Sequence, residues 1–131
     1  MTEIWDTLKH FSKDEAWGKP QKMNGLLLLL LDKIRELTGW PIIVHCGTQG
    51  RHVKKSQHYL GNAVDFHFKT DVPLKEQVLK LLEILKVLQV DERVGLGVYK
   101  WGFHLDVRGT KARWGRIGKD YISFEEAVKY L

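Results

Sequence analysis

The sequence predicts an α+β fold, with an antiparallel sheet covered by helices on one face. Three observations carry this. Two segments have apolar residues at helical spacing, and four short segments are β-branched or alternate apolar with polar. Helices and strands are mixed without the regular alternation of βαβ units. No repeat, low-complexity stretch or linker marks a boundary, so residues 1–131 are expected to form a single domain.

Ser12-Lys13-Asp14-Glu15 reads as a capping box that opens a short N-terminal helix, broken by Gly18 and Pro20. A long helix is predicted from Gln21, with Leu27, Leu30, Leu31 and Ile34 on one face. Gly39 stops it and Pro41 forbids its continuation. Pro41-Ile-Ile-Val-His-Cys46 is short and β-branched, so it is a strand. Gly47 to Ser56 is polar and reads as a loop. Asn62 to Phe68 alternates as a strand does. Asp71 is expected to cap a second long helix whose face is Leu74, Val78, Leu81, Leu82 and Leu85. Arg93 to Tyr99 and Phe103 to Arg108 read as strands joined by a tight turn near Trp101-Gly102. Ser123-Phe-Glu-Glu126 is a capping box for a C-terminal helix reaching Leu131.

Composition narrows the function classes. Apolar residues make up 44% and charged residues 28% of the chain, the balance of a globular protein rather than a disordered one. The leucine run from Leu26 to Leu31 is too short to span a bilayer, so no membrane insertion is expected. Met1 to His10 carries acidic residues and no apolar signal core, so the protein is expected to be cytoplasmic when synthesised. A single cysteine, Cys46, excludes an intrachain disulfide and a multi-cysteine metal knuckle. It is expected to be a small, inert apolar residue. The net charge of +5 favours an anionic partner.

Strand alternation locates the chemistry. From Asn62, one face carries Val64, Phe66 and Phe68 and the other Ala63, Asp65 and His67. From Phe103, one face carries Phe103, Leu105 and Val107 and the other His104, Asp106 and Arg108. The apolar faces must meet the helices, which puts acids and imidazoles together on the opposite side. The plain alternative is a solvated sheet face. Gly61 permits a sharp turn that brings His58 over the start of the first of these strands. His58, Asp65 and His104 then form two imidazoles and a carboxylate, a set that Zn²⁺ accepts with its fourth position open to water. No thiolate is expected among the ligands, which argues against softer metals.

Ser56-x-His58-x-x-Gly61-x-Ala63-x-Asp65 followed by His104-x-Asp106 resembles the M15 peptidase family. These are zinc D-Ala-D-Ala carboxypeptidases and peptidoglycan endopeptidases, phage endolysins among them. Their fold is shared with the amino-terminal signalling domain of hedgehog proteins. The resemblance extends over His10-Phe11 with Glu15, Gly95-Leu-Gly-Val-Tyr99, Gly102-Phe-His-Leu-Asp-Val-Arg-Gly109 and Ala112-Arg-Trp114. It implies a hedgehog/DD-peptidase-like fold, with His58, Asp65 and His104 as the metal ligands. It also implies zinc-dependent cleavage of an amide bond in the peptidoglycan stem peptide.

Two positions depart from the family pattern. Many members carry an acidic general base three residues before the last ligand histidine; here that residue is Trp101. Asp106, on the same strand face as His104, is the expected substitute, with Glu92, Asp91 or His67 next in line. The family's Ser-Gly-Tyr-Arg stretch, whose arginine holds the substrate carboxylate, corresponds to Cys46-Gly47-Thr48-Gln49. Arg51 and Arg108 are the expected substrate-binding and oxyanion-stabilising cations; Lys54 or Lys55 is an alternative to Arg51, and an ion pair with Asp106 explains Arg108 equally well. Trp101 and Trp114 either line a groove or pack in the core. His45 and His52 read as surface or strand-edge histidines. A monomer acting on the cell wall after release, or as part of a virion, fits the size and the charge. A catalytically inactive metal-containing binding domain of the same fold is the alternative. A nucleic-acid partner is not expected, because no helix concentrates the basic charge.

Overall fold

The computed structural model describes residues 3–48, 56–58 and 60–131. A six-stranded sheet forms the body. The strands are β1 (Ile42–Cys46), β2 (Ala63–Phe68), β3 (Gly95–Tyr99), β4 (Gly102–Asp106), β5 (Ala112–Ile117) and β6 (Asp120–Ile122). They lie in the order β1-β2-β4-β3-β5-β6. All pairings are antiparallel except that of β3 with β5, which is parallel. Four α-helices accompany it: α1 (Ile4–Thr7), α2 (Gly25–Thr38), α3 (Leu74–Val87) and α4 (Phe124–Lys129). The α+β class is therefore correct, while the sheet is mostly rather than wholly antiparallel. Among the described residues, no helix is long and apolar enough to cross a membrane.

Alternation along β2 and β4 decides which side is covered. Val64, Phe66, Phe103 and Leu105 are fully buried and join one cluster with Leu27, Leu28, Leu31 and Ile34 of α2 and Val78, Leu81 and Leu85 of α3. Ala127 of α4 packs so closely against β5 that a Cβ at Gly115 would lie 2.1 Å from its Cβ. The three longer helices thus cover the apolar face.

Several boundaries differ from expectation. The Ser12–Glu15 box forms only in part: Ser12 N donates to Glu15 Oε2 at 2.8 Å, while Ser12 Oγ accepts from the Asp14 amide, and the segment closes a turn and opens no helix. The long helix starts at Gly25 rather than Gln21, because the Asn24 side chain accepts from the Leu26 and Leu27 amides. Before it, Pro20–Lys22 is a single 3₁₀ turn. Asp71 caps nothing: α3 begins after Pro73, whose ring suits a helix entrance. The final helix opens where expected, with Ser123 Oγ accepting from the Glu126 amide. Strands β5 and β6 carry few β-branched residues and were not legible in the sequence.

Two glycine positions matter for the polar face. Gly61 adopts φ +78°, and a Cβ there would lie 2.0 Å from the Lys22 carbonyl oxygen. Only glycine fits that turn. On β3, a Cβ at Gly95 would lie 2.6 Å from Asp106 Oδ2, so the absent side chain leaves room for that carboxylate.

Phe66→Ala is expected to destabilise the protein by about 3–5 kcal/mol, the usual loss for a fully buried ring. A chemical denaturation midpoint unchanged from the wild type would mean that the strand faces have been assigned the wrong way round.

Candidate metal centre

The antiparallel register of β2 and β4 pairs Asp65 directly with His104 and Ala63 with Asp106. Directly opposed residues point to the same face of a sheet, so Asp65 and His104 stand side by side on the uncovered face. The third group arrives from the turn that precedes β2. There Gly61 N donates to the His58 carbonyl at 3.0 Å, and Asn24 N donates to the Gly61 carbonyl at 2.8 Å. These bonds tie the turn to the start of α2 and hold His58 over the strand.

The three expected ligands converge. His58 Nε2, Asp65 Oδ1 and His104 Nδ1 form a triangle with every edge 3.1 Å. Both imidazoles are nearly buried, each 7% exposed. Their other nitrogens are already committed. His58 Nδ1 donates to the Gly47 carbonyl at 2.8 Å, and His104 Nε2 donates to Asp106 Oδ2 at 2.7 Å. Those partners accept only, so each ring presents an unprotonated nitrogen to the centre when a cation is bound there. Pinning the outward nitrogen in this way is how proteins orient histidine ligands. The donor set and its supports fit a divalent metal such as zinc.

Charge also converges. Burial alone would lower the His58 pKa, but hydrogen bonds to Asp65, Cys46 and the Gly47 carbonyl hold it well above the ordinary imidazole range. Burial would raise the Asp65 pKa, yet the hydrogen bonds of His104 and His58 hold it well below the usual carboxylate value. Positive charge at the centre of the triangle is what this arrangement favours, whether a proton or a metal ion supplies it.

Asp106 does not occupy the place of a base. It is completely buried behind His104. Its Oδ1 accepts from Arg108 Nε at 2.8 Å and from the amides of Gly95 and Arg108, and its Oδ2 accepts from Arg108 Nη2 at 2.7 Å and from His104. Burial opposes ionisation, but Arg108 and His104 together keep the carboxyl ionised far below its ordinary pKa. It contacts the ring nitrogen of His104 that faces away from the triangle. The same observation favours the ion-pair reading of Arg108 over that of a substrate-binding cation. Two of its guanidinium nitrogens are spent on Asp106, and the group lies over the Trp114 ring at 5.2 Å. Arg108 is the counter-charge of Asp106. Arg51, with Lys54, Lys55 and His52, lies outside the described residues.

Cys46 is a candidate ligand that sequence reasoning missed. Its sulfur, a His58 nitrogen and an Asp65 carboxylate oxygen lie within 4.8 Å of one another, forming a group able to hold a metal ion. The cause is a β-bulge. Val44 pairs with Phe66, but Cys46 pairs with Asp65, leaving His45 as an extra residue. Simple alternation would have turned Cys46 toward the core with Ile42 and Val44; the bulge re-aims it.

The rest of this face is aromatic. Trp114 packs on His104 with centroids 4.9 Å apart and donates from Nε1 to the Tyr99 hydroxyl at 3.1 Å. Tyr99 stacks on Trp101, which in turn meets His45. His45 Nε2 and His67 Nδ1 are 2.5 Å apart. Neither Trp101 nor Trp114 belongs to the hydrophobic core, and Trp101 is 48% exposed. Asp91, one of the candidate bases, is tied to Arg113 and Lys111. An apolar groove of about 620 Å³, lined by Leu26, Leu29, Leu88 and Val90 among others, includes none of the triangle's residues.

No family model, curated protein or solved structure matches the chain.

Asp106→Ala should remove the acceptor of His104 and strand the charge of Arg108. Breaking a buried pair costs ~3–5 kcal/mol, and partial exposure of Arg108 places this one toward the lower end. Thermal or denaturant unfolding measures it. A loss no larger than that of a surface substitution would show that the pair does not anchor the face.

Proposed function

We propose that the protein is a zinc hydrolase that cleaves an amide bond in the peptidoglycan stem peptide, on a hedgehog/DD-peptidase-like fold. The observation that carries this reading is the triangle of His58, Asp65 and His104, with both outward imidazole nitrogens held by acceptors. The spacing Ser56-x-His58-x-x-Gly61-x-Ala63-x-Asp65 with His104-x-Asp106, which resembles that of M15 peptidases, supplies the substrate class. The net charge of +5 suits an anionic wall.

His58, Asp65 and His104 would hold the ion. A bound zinc ion supplies Lewis acidity, lowering the pKa of water to roughly 7 and polarising a carbonyl. The chain's own residues do the rest. Asp106 holds His104 in the tautomer that leaves Nδ1 free, and Arg108 keeps Asp106 ionised. Proton transfer falls to the His45–His67 pair. It lies on the same face as Asp65, with the Cα of His67 roughly 6–7 Å along the strand from that of Asp65. Trp101, Tyr99 and Trp114 offer a flat aromatic wall for the substrate. Arg51 remains the proposed anchor for a substrate carboxylate.

One observation favours a second reading, a metal-containing binding domain without hydrolysis. Trp101 stands where many M15 members carry an acid, and Asp106 is fully engaged elsewhere. Zymography on purified peptidoglycan separates the two, because a binding domain would retain zinc and clear nothing.

Purified protein should carry close to one zinc per chain by elemental analysis. His58→Ala and His104→Ala should each lose it, and metal retained in both would overturn the ligand assignment. His67→Ala should keep the zinc and lower turnover on stem peptide by roughly 10²–10⁴-fold, the usual worth of a general base. An unchanged rate would remove the imidazole pair from the mechanism.

A further inference from the structure

We propose that Cys46 is a fourth ligand to the metal, so that the resting site is a closed His₂-Asp-Cys set. This rests on the reading of His58, Asp65 and His104 as a metal centre. It goes beyond that reading by filling the position otherwise open to water. Donors bound to one zinc at ~2.0–2.3 Å stand roughly 3.2–3.6 Å apart at tetrahedral angles. The imidazoles and carboxylate are already near that spacing, at 3.1 Å. The sulfur lies within 4.8 Å of a His58 nitrogen and an Asp65 carboxylate oxygen, and rotation about the single side-chain torsion of cysteine moves it relative to both.

Three features of this chain support the assignment. The bulge in β1 places Cys46 opposite Asp65, on the metal-facing side of the sheet. The Cys46 thiol donates to the Gly47 carbonyl at 3.7 Å, the acceptor that His58 Nδ1 also uses. The residue after it, Gly47, offers the carbonyl that fixes the His58 tautomer, so the backbone that presents the sulfur also orients a ligand. A Cβ at Gly47 would lie 2.4 Å from the Trp17 carbonyl oxygen, and Thr48 N donates to that same carbonyl at 2.7 Å. The strand end is therefore held against the body of the protein. On ligation the thiol proton leaves for solvent and a sulfur–metal bond forms, and thiolate makes the site more selective for zinc over harder cations. Hydrolysis at such a closed site would require the Cys46 side chain to swing away and admit water.

Cobalt(II) added to metal-free protein tests this. The wild type should bind one cobalt and show the intense visible bands of a tetrahedral site together with a near-ultraviolet sulfur-to-cobalt charge-transfer band. Cys46→Ser should still bind one cobalt and lose the charge-transfer band. A wild type that binds cobalt with no such band, or a Cys46→Ser variant with an unchanged spectrum, overturns the fourth ligand and leaves the three-ligand centre standing. A wild type that binds no cobalt overturns both. A second measurement needs no variant. Cys46 is the only cysteine, so iodoacetamide labelling followed by mass measurement reports on it directly. Loading with zinc should slow labelling strongly, and equal rates with and without zinc would rule the ligand out.

Discussion

The register of β2 against β4 is the constraint on which the rest depends. Pairing Asp65 with His104 places a carboxylate and an imidazole side by side on one face. In the same stroke it places Phe66 beside Phe103, and Val64 beside Leu105, on the other. Strand side chains alternate with a period of two, so a slip of one residue would bury the acids and expose the rings. The hydrophobic core and the candidate metal centre are thus two faces of one pairing. The energy that drives the rings under α2 and α3 also holds the ligands in position.

The polar face is supported from behind rather than from solvent. Glycine at position 95 of β3 leaves space beneath Asp106, and Asp106 uses that space to reach Arg108, His104 and a backbone amide together. A carboxylate with no exposure and this many donors is suited to fixing the orientation of a ring. It is poorly suited to accepting a proton from a reacting water, because its protonation would have to displace an arginine. The His104-x-Asp106 spacing therefore carries a second meaning. Two residues apart on a strand is the spacing of same-face neighbours, and it is also the spacing at which one side chain can pin the far nitrogen of the other.

The turn before β2 does comparable work for His58. Gly61 is held by backbone bonds to the start of α2, and Gly47 supplies the acceptor for the ring. The parts of the site therefore come from β1, from this turn and from two adjacent strands, all braced by the same core. A bulge in β1 adds Cys46 to the group and sends His45 toward His67 and Trp101. Irregularity at one sheet edge changes the chemistry of the face without disturbing the packing beneath it.

Much of this was legible in the sequence because it follows from periodicity. The leucine stripe of α2 and the alternation in β2 and β4 determined the helices, the central strands, the buried rings and the side on which Asp65, His67, His104 and Asp106 stand. The spacing from His58 through Gly61 to Asp65 likewise determined that a turn would fold one histidine back. Tertiary structure alone decided what those side chains touch. The functions expected of Asp106 and Arg108 depended on distances between side chains, and the structure spends both groups on each other. The start of α2 depended on which polar side chain reached the free amides. β5 depended on a parallel pairing with β3, and β6 on an antiparallel pairing with β5, which no local pattern encodes. The place of Cys46 depended on a single extra residue in one strand. Alternation cannot reveal a bulge, because a bulge is the point at which alternation stops.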